Sequence, residues 1–268
     1  MKIEIKHKVT PEQAGQDAAS LLSQLTQLPK QRIKDAMSKG AVILKRKQGK
    51  RLRRATEKLL SGDLLSLHYD DRILSTTPPD GTYCLHQSKG YSVWFKTAGL
   101  MSQGTEFGDH LALLRLVELK LGSQVFLVHR LDRETSGLIL IAHNKSTAAK
   151  LSSLFEKHQI KKVYQATVLG ITPESGSINQ ALDGKVAITH YQRLSFDHEK
   201  HQSQLHVELE TGRLHQIRRH LAAIGHPVMG DPRYGEGNKN KEGLQLVATE
   251  LAFICPDTHK QVKFSCNT

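Results

Sequence analysis

The chain has 268 residues, with 38 Lys and Arg against 26 Asp and Glu, a formal net charge of +12. That length suits one large or two modest domains, and the basic excess points to a polyanionic partner, nucleic acid first. Apolar runs far short of a membrane span and an N-terminus, MKIEIKHKVT, without a signal-peptide core lead us to expect a cytoplasmic protein with no membrane contact. Cys84, Cys255 and Cys266 form no C-x-x-C pair, which argues against a disulfide framework and a zinc site. The 15 histidines are scattered without a spacing such as H-E-x-x-H, so no metal is expected.

Residues 2–9 alternate as a short strand. Thr10-Pro11-Glu12-Gln13 matches a capping box with Pro at the first helical position. Ala14, Ala18, Leu21, Leu22, Leu25 and Leu28 follow at helical spacing, which predicts an amphipathic helix over 11–28. A second helix is predicted over 29–39, with Ile33, Ala36 and Met37 inward and Gly40 as its stop. Strands follow at 41–44 and 64–69. Between them runs KRKQGKRLRR, residues 45–54, and Lys30 to Lys58 holds twelve basic residues against two acids, Asp35 and Glu57. Lys45, Arg46, Lys47, Lys50, Arg51, Arg53 and Arg54 are therefore candidate phosphate contacts. A solvated surface is the competing reading of such a run.

Residues 73–90 have the Pro, Gly, Asp and Ser content of a linker, with a short strand at 83–86. The expected division is 1–72, a linker over 73–90, and a second domain over 91–268. That domain begins with a strand at 91–95 and a helix over 108–122 that buries Leu111, Leu114, Val117 and Leu121. Next comes VFLVHRLDRETSGLILIA, residues 125–142. Two apolar runs with strand character flank a polar turn that sets Asp132 between Arg130 and Arg133. Guanidinium groups favour a neighbouring carboxylate's charged form, and a charged Asp at a strand end is a candidate nucleophile. A structural Arg–Asp pair pinning the turn is the alternative, and these residues alone leave both open.

Ser146 is expected to cap a helix through about residue 158. The run 161–170 alternates as a strand, with Tyr164, Ala166 and Val168 on one face, and two further strands are expected around 187–194 and 204–210. In the stretch LETGRLHQIRRHLAAIGHPVMGDPRY, residues 209–234, Thr211-Gly212 ends a strand, and a short helix follows with Leu214, Ile217, Leu221 and Ile224 facing inward and Gly225 as its C-terminal cap. The other faces carry Arg213, His215, Gln216, Arg218, Arg219 and His220. They could pair with a carboxylate or clamp a phosphate; a plain surface helix is the alternative.

Three motifs, H-R-L-D-x-x-T-S-G-L at 129–138, K-x-Y-x-A at 162–166, and T-G-R-x-H-Q-I-R-x-H with downstream G-D-P-x-Y at 211–234, together resemble the RluA-type pseudouridine synthase family. The resemblance spans about residues 91–265, and the N-terminal unit resembles the small S4-like RNA-binding domain that many members carry. It implies that Asp132 is the nucleophile toward a target uridine, at the ribose or at the base. Tyr164 would pack against that base and take part in deprotonating C5. Arg218 would pair with the aspartate, and Arg130 would hold the nucleotide out of its stack. Arg213, His215 and Gln216 are further candidate RNA contacts. Extruding a base costs a few kcal/mol, least in loops and bulges, which a stacking aromatic and a guanidinium offset. The reaction is an isomerisation and calls for no cofactor. Two scaffold positions depart from the family pattern. Phe95-Lys96-Thr97-Ala98-Gly99-Leu100 keeps the Lys of an Asp-Lys-Pro-like segment but not its Asp or Pro. Leu246-Val247-Ala248 lacks a His often found there.

The expected fold is α+β: a catalytic domain with a central mixed, largely antiparallel sheet flanked by helices and loops, plus a small α+β S4-like domain. Asp132, Tyr164 and Arg218 should meet in a basic cleft. The partner is RNA, with large-subunit ribosomal RNA favoured over tRNA and a monomer as the simplest assembly. H-R-L-D superficially resembles the kinase H-R-D loop, but Leu131 breaks the spacing and no D-F-G or Gly-rich loop accompanies it. A glycoside hydrolase would need two carboxylates flanking one bond, and Glu134 is the sole nearby candidate. A non-catalytic RNA-binding or ribosome-assembly protein is the remaining alternative. Asp132 weighs against it, because a carboxylate facing RNA repels phosphate.

Overall fold

The structure, a computed structural model, describes residues 1–267. The chain forms two compact units, Met1–Pro78 with Gln103–Lys120, and Pro79–Ser102 with the chain from Leu121 on.

The first unit begins with strand β1 (Lys2–Lys8), helices α1 (Ala18–Thr26) and α2 (Lys30–Ser38), and strands β2 (Val42–Lys45), β3 (Gly49–Arg51) and β4 (Leu64–Asp70), with a helical turn α3 (Asp71–Leu74). Its sheet runs β1-β4-β2-β3, every pair antiparallel. Leu21, Leu22, Ile33, Met37, Leu65 and Leu67 form the core between the helices and the sheet. The capping-box residues are used differently from the expected 11–28 helix. The Gln13 side chain accepts the Thr10 N–H at 3.1 Å, but the helical stretch there is one 3-10 turn, Pro11–Gln13. Gly15 then takes φ +84°, its N–H bonds Leu59 O, and Leu59 N–H bonds Gln16 O. Asp17 caps α1 by accepting Ser20 N–H at 2.9 Å, so the helix starts at Ala18.

The basic run folds as the β2–β3 hairpin, and part of it is structural. Arg51 and Arg53 both pair with Asp109, and their guanidinium groups also donate to Thr105 O and Ser38 O. The bonds to Asp109 and Thr105 tie Gln103–Lys120, which contains most of helix α4 (Leu113–Leu121), to Met1–Pro78 within the first unit. A contiguous division at 73–90 has no place for that link, which joins residues more than 50 positions apart.

The second unit contains β5 (Tyr83–Gln87), β6 (Tyr91–Lys96), β7 (Phe126–Leu127), β8 (Ser136–Ala142), α5 (Lys145–Glu156), β9 (Lys161–Leu169), β10 (Ser175–Asn179), β11 (Ile188–Asp197), β12 (Gln202–Leu209), α6 (Gln216–Ala223), β13 (Leu246–Ile254) and β14 (Gln261–Ser265). They form one ten-stranded sheet, ordered β10-β11-β12-β9-β13-β8-β6-β5, with β14 on β13 and β7 on β8. Among these pairings only β13 with β8 is parallel, so the sheet is mixed and largely antiparallel, as expected. Leu138, Leu140 and Leu151 share one core with Tyr91 and Phe253; Ala166, Val168, Leu205 and Val207 share another with Ile217 and Leu221 of α6. β8 is buried from Gly137 to Ala142, which explains its unbroken apolar run. Strands β3, β10 and β14 lie outside the expected elements, and β13 carries the Leu246-Val247-Ala248 segment. The cap of α5 is Asn144, which accepts Thr147 N–H at 2.9 Å, rather than Ser146.

The parallel seam is where sheet and site meet. Ala248 on β13 pairs with Gly137 on one side and Tyr164 on the other. Gly137 has φ +116°, and a Cβ there would lie 2.3 Å from Ala248 O and 2.4 Å from Ala248 N. Only glycine fits this close backbone approach. Gly137→Ala is therefore expected to destabilise the protein by roughly 2–4 kcal/mol in urea unfolding; a change below about 0.5 kcal/mol would show that the seam is not close-packed.

Candidate active site

The loop from His129 to Thr135 is fixed by backbone hydrogen bonds at both ends. His129 Nε2 accepts Leu140 N–H at 2.9 Å while the ring stacks on Phe155, and burial pushes the imidazole pKa down to about 3. It is thus a neutral ring with its proton on Nδ1. Ser102 Oγ donates to Leu131 O at 2.7 Å and accepts Leu131 N–H at 3.0 Å. Beyond the aspartate, Arg133 O accepts Gly99 N–H at 2.8 Å and Lys96 Nζ at 3.2 Å. Lys96 is fully buried and spends its other donors on Leu100 O and Thr97 O, at 2.8 and 3.1 Å. Burial pulls its pKa down to about 8, against the opposing charges of Asp132 and Glu134. The retained lysine of the departing segment therefore clamps the loop that carries Asp132.

Asp132 is partly exposed in a cavity of about 300 Å³ that Tyr164 and Arg218 also line. The sequence places Arg130 and Arg133 beside this aspartate, but its cation is Arg218. Arg130 is exposed where it lines the cavity, and the Arg133 guanidinium turns to Gly99 O. Arg218 is 1 % exposed and Asp231 0 %. Arg218 Nε and Nη2 grip the two Asp231 oxygens at 2.7 and 2.8 Å, and Nη1 reaches Asp132 Oδ2 at 3.2 Å. Asp231 also accepts the N–H groups of Arg233 and Tyr234. Arg218 and these N–H groups hold the Asp231 carboxyl below the usual carboxylate range, although burial opposes them. The contacts of Asp132 to other described residues, from Arg218 and from His215 Nε2 at 3.7 Å, all fall on Oδ2. Its Oδ1 is the oxygen left for a ligand.

Helix α6 departs from its sequence reading in which face it buries. Leu214 and Ile224, expected inside, are exposed, while Gln216, Arg218 and His220 are buried. The chain enters the helix through His215 in the left-handed region, φ 52°, which takes Leu214 off the helical pattern. Every buried polar group has partners. Gln216 bonds Ile188 O, Thr189 Oγ1, Thr211 Oγ1 and Arg213 N, and His220 bonds Thr189 Oγ1 and Gln180 O. Periodicity counts apolar residues and cannot register this compensation.

The remaining candidates divide by function. Arg213, His215 and Gln216 line the same cavity. Gln216 is consumed by internal bonds, and Arg213 Nε donates to Val186 O. In the first unit, Arg46 is held by Asp63 and Glu57, and Arg51 and Arg53 by Asp109. Lys45, Lys47, Lys50 and Arg54 are exposed. Burial and the Asp132 charge both raise the pKa of Tyr164, which keeps it a neutral phenol. Among the described residues, no cluster of three or more His, Cys, Asp or Glu is placed to hold a metal ion, and no helix is long and apolar enough to cross a membrane. Sequence reasoning missed Asp231, Ser102 and Tyr234 as parts of the site. The one available signal was the acid of G-D-P-x-Y in an otherwise basic stretch.

Removing one partner of a buried ion pair strands the other charge, at about 3–5 kcal/mol. Asp231→Asn is expected to lose that much stability in urea unfolding; a loss below about 1 kcal/mol would mean the Arg218 charge is held by other groups.

Comparison with known proteins places these motifs in a family. A family model described as RNA pseudouridylate synthase matches residues 90–223. A ribosomal large subunit pseudouridine synthase D from Zymomonas mobilis is 35 % identical over 163 residues, covering 52 % of this chain and 51 % of that protein. A tRNA pseudouridine synthase C from Yersinia pestis is 29 % identical over 201 residues, covering 65 % of this chain and 72 % of that one. Several curated relatives are longer, and the chain spans 43 to 62 % of three of them, about half their length. The solved structure of human RNA pseudouridylate synthase domain containing 1 superimposes with a TM-score of 0.61 and 23 % identity, covering 72 % of this chain and 86 % of that one, which shows a shared fold. With the Asp132 loop, the Tyr164 strand and the buried-arginine helix gathered on one cavity, the chain belongs to the RNA pseudouridylate synthase family.

Proposed function

We propose that this protein is an RNA pseudouridine synthase that isomerises uridine in large-subunit ribosomal RNA, with Asp132 as nucleophile. The observation that carries the reading is the one-sided grip on Asp132, with Oδ2 held by Arg218 and Oδ1 left for the substrate. A fixed carboxylate with one free oxygen beside a buried cation is arranged for nucleophilic attack. In the reaction the N1–C1′ bond breaks and a C5–C1′ bond forms. The proton lost from C5 is balanced by one gained at N1, so no electron or group carrier enters. Tyr164, a neutral phenol, suits packing against the uracil face, and its raised pKa argues against a resting phenolate as the C5 base. Arg130, exposed beside the cavity, suits a contact that keeps the nucleotide extruded.

The first unit supports binding through an S4-like surface. Its phosphate contacts would fall to Lys45, Lys47, Lys50 and Arg54, since the other arginines of the run are in ion pairs. A tRNA substrate is the second reading, favoured by the relative named tRNA pseudouridine synthase C.

A pseudouridine map of total RNA from a strain lacking the gene, rescued with wild type or Asp132→Ala, tests the activity and names the substrate. Sites that vanish in the deletion and return with wild type alone are the expected result. Restoration by Asp132→Ala would remove Asp132 as the nucleophile, and a map unchanged by the deletion would leave only an RNA-binding role. Replacing Lys45, Lys47 and Lys50 by Gln should make the slope of log affinity against log salt shallower by about 2, near 0.7 per lost phosphate contact on single strands; an unchanged slope would remove this surface from the interface.

A further inference from the structure

Around Asp132 the side chains close a ring that the reaction as described does not use. From Asp132 Oδ2 it passes to Arg218, then to Asp231, whose Oδ1 accepts Tyr234 N–H at 3.1 Å. Tyr234 OH lies 3.0 Å from His215 Nδ1, and His215 Nε2 faces Asp132 Oδ2 at 3.7 Å, closing the circuit. Tyr234 also stacks: its ring lies 5.3 Å from the Arg218 guanidinium carbon and meets the His215 ring edge-on, at 5.6 Å and 73°. The His215 side chain is only 12 % exposed. Its backbone is held at φ 52°, ψ 30° as the residue that starts α6, so the ring has little freedom to turn away.

The arrangement selects one tautomer. A carboxylate oxygen facing Nε2 requires the proton there, since a lone pair would repel it. Nδ1 is then the acceptor and the Tyr234 hydroxyl the donor. We propose that Tyr234 is a positioning residue for the pseudouridine synthase reaction, holding His215 neutral and aligned against Asp132. The proposal rests on the activity proposed above.

The consequence is chemical. A protonated His215 would place a second cation on Oδ2 and weaken the aspartate as a nucleophile, because nucleophilicity falls with basicity. The groups facing His215 are Asp132 and Asp231, which favour its charged form, and Arg218 and Arg233, which oppose it. Burial adds to the opposition, and the net effect is a lowered pKa. The Tyr234 hydroxyl donates to the one nitrogen that could take the extra proton, so protonating the ring means breaking that bond and turning the hydroxyl into an acceptor. Without it His215 protonates more readily, and the acid limb of the rate profile moves toward neutral pH.

Tyr234→Phe keeps both ring contacts and removes only the hydroxyl. With total RNA from the deletion strain as substrate, the full-length variant should lose about threefold in kcat near pH 8 and about tenfold near pH 6, at unchanged KM. In the His215→Gln background the same substitution should have no pH-dependent effect. Histidine NMR of the free protein should show the His215 midpoint raised by about one unit or more in Tyr234→Phe. An equal loss at every pH, a change confined to KM, or an unmoved midpoint would each overturn the proposal. If wild type forms no pseudouridine in any RNA, the proposed activity fails. The NMR midpoint then decides the ring on its own, with a rise supporting it and no shift removing it.

Discussion

Everything at this site depends on how Arg218 divides its donors. A guanidinium offers a planar fork, and here the fork is closed by Asp231 deep in the protein. Had Asp132 taken the bidentate position, both its oxygens would be tied and its charge matched. Instead it receives a single N–H on Oδ2. The buried pair is a poor source of net stability, because desolvating two ions offsets most of their attraction. Its value is directional. Asp231 is itself aimed by the N–H groups of Arg233 and Tyr234, so a fully buried carboxylate orients the cation that holds Asp132.

The same logic governs the loop. Leu131 is bonded by Ser102 and Arg133 by Gly99 and Lys96, one on each side of Asp132, so the aspartate's neighbours are fixed while its own side chain stays open to the cavity. On the sheet, Tyr164 and the start of β8 flank Ala248 as its two pairing partners. Strands are spaced just under 5 Å apart, so this puts the Tyr strand about 10 Å from the strand that follows the Asp132 loop. The Lys retained at position 96 is what survives of the segment that otherwise departs from the family pattern. Its three bonds to carbonyls explain how the loop closes without the missing Asp and Pro.

Much of the fold was legible because its signals are local. The apolar run of β8 expresses a strand buried on both faces, while the alternation of β9 and the helical spacing in α2 each express one buried face. The site was legible through contiguous motifs, which bring Asp132, Tyr164 and Arg218 to one cavity. What escaped was non-local compensation. Gln216, Arg218 and His220 are polar and buried because partners on other segments satisfy them, and nothing in the spacing of α6 announces those partners. Asp231 escaped for the same reason, lying 13 residues beyond the arginine it holds. The density of cations at 45–54 likewise conceals that Arg46, Arg51 and Arg53 are bound to the protein's own carboxylates.

The parallel seam between β8 and β13 has a bearing on synthesis. Ser136 and Gly137 meet Val247 and Ala248, residues about 110 positions further along the chain. Such distant pairings come late, since the chain between them must be ordered before the contact repays its closure. On the ribosome the Asp132 loop emerges long before the strand that joins it to Tyr164, and at about 5–20 residues per second that interval is several seconds or more. Throughout it a nascent chain carries its basic β2–β3 hairpin but no assembled cavity. The protein therefore acquires its cationic surface well before the strand pairing that completes the cavity around Asp132.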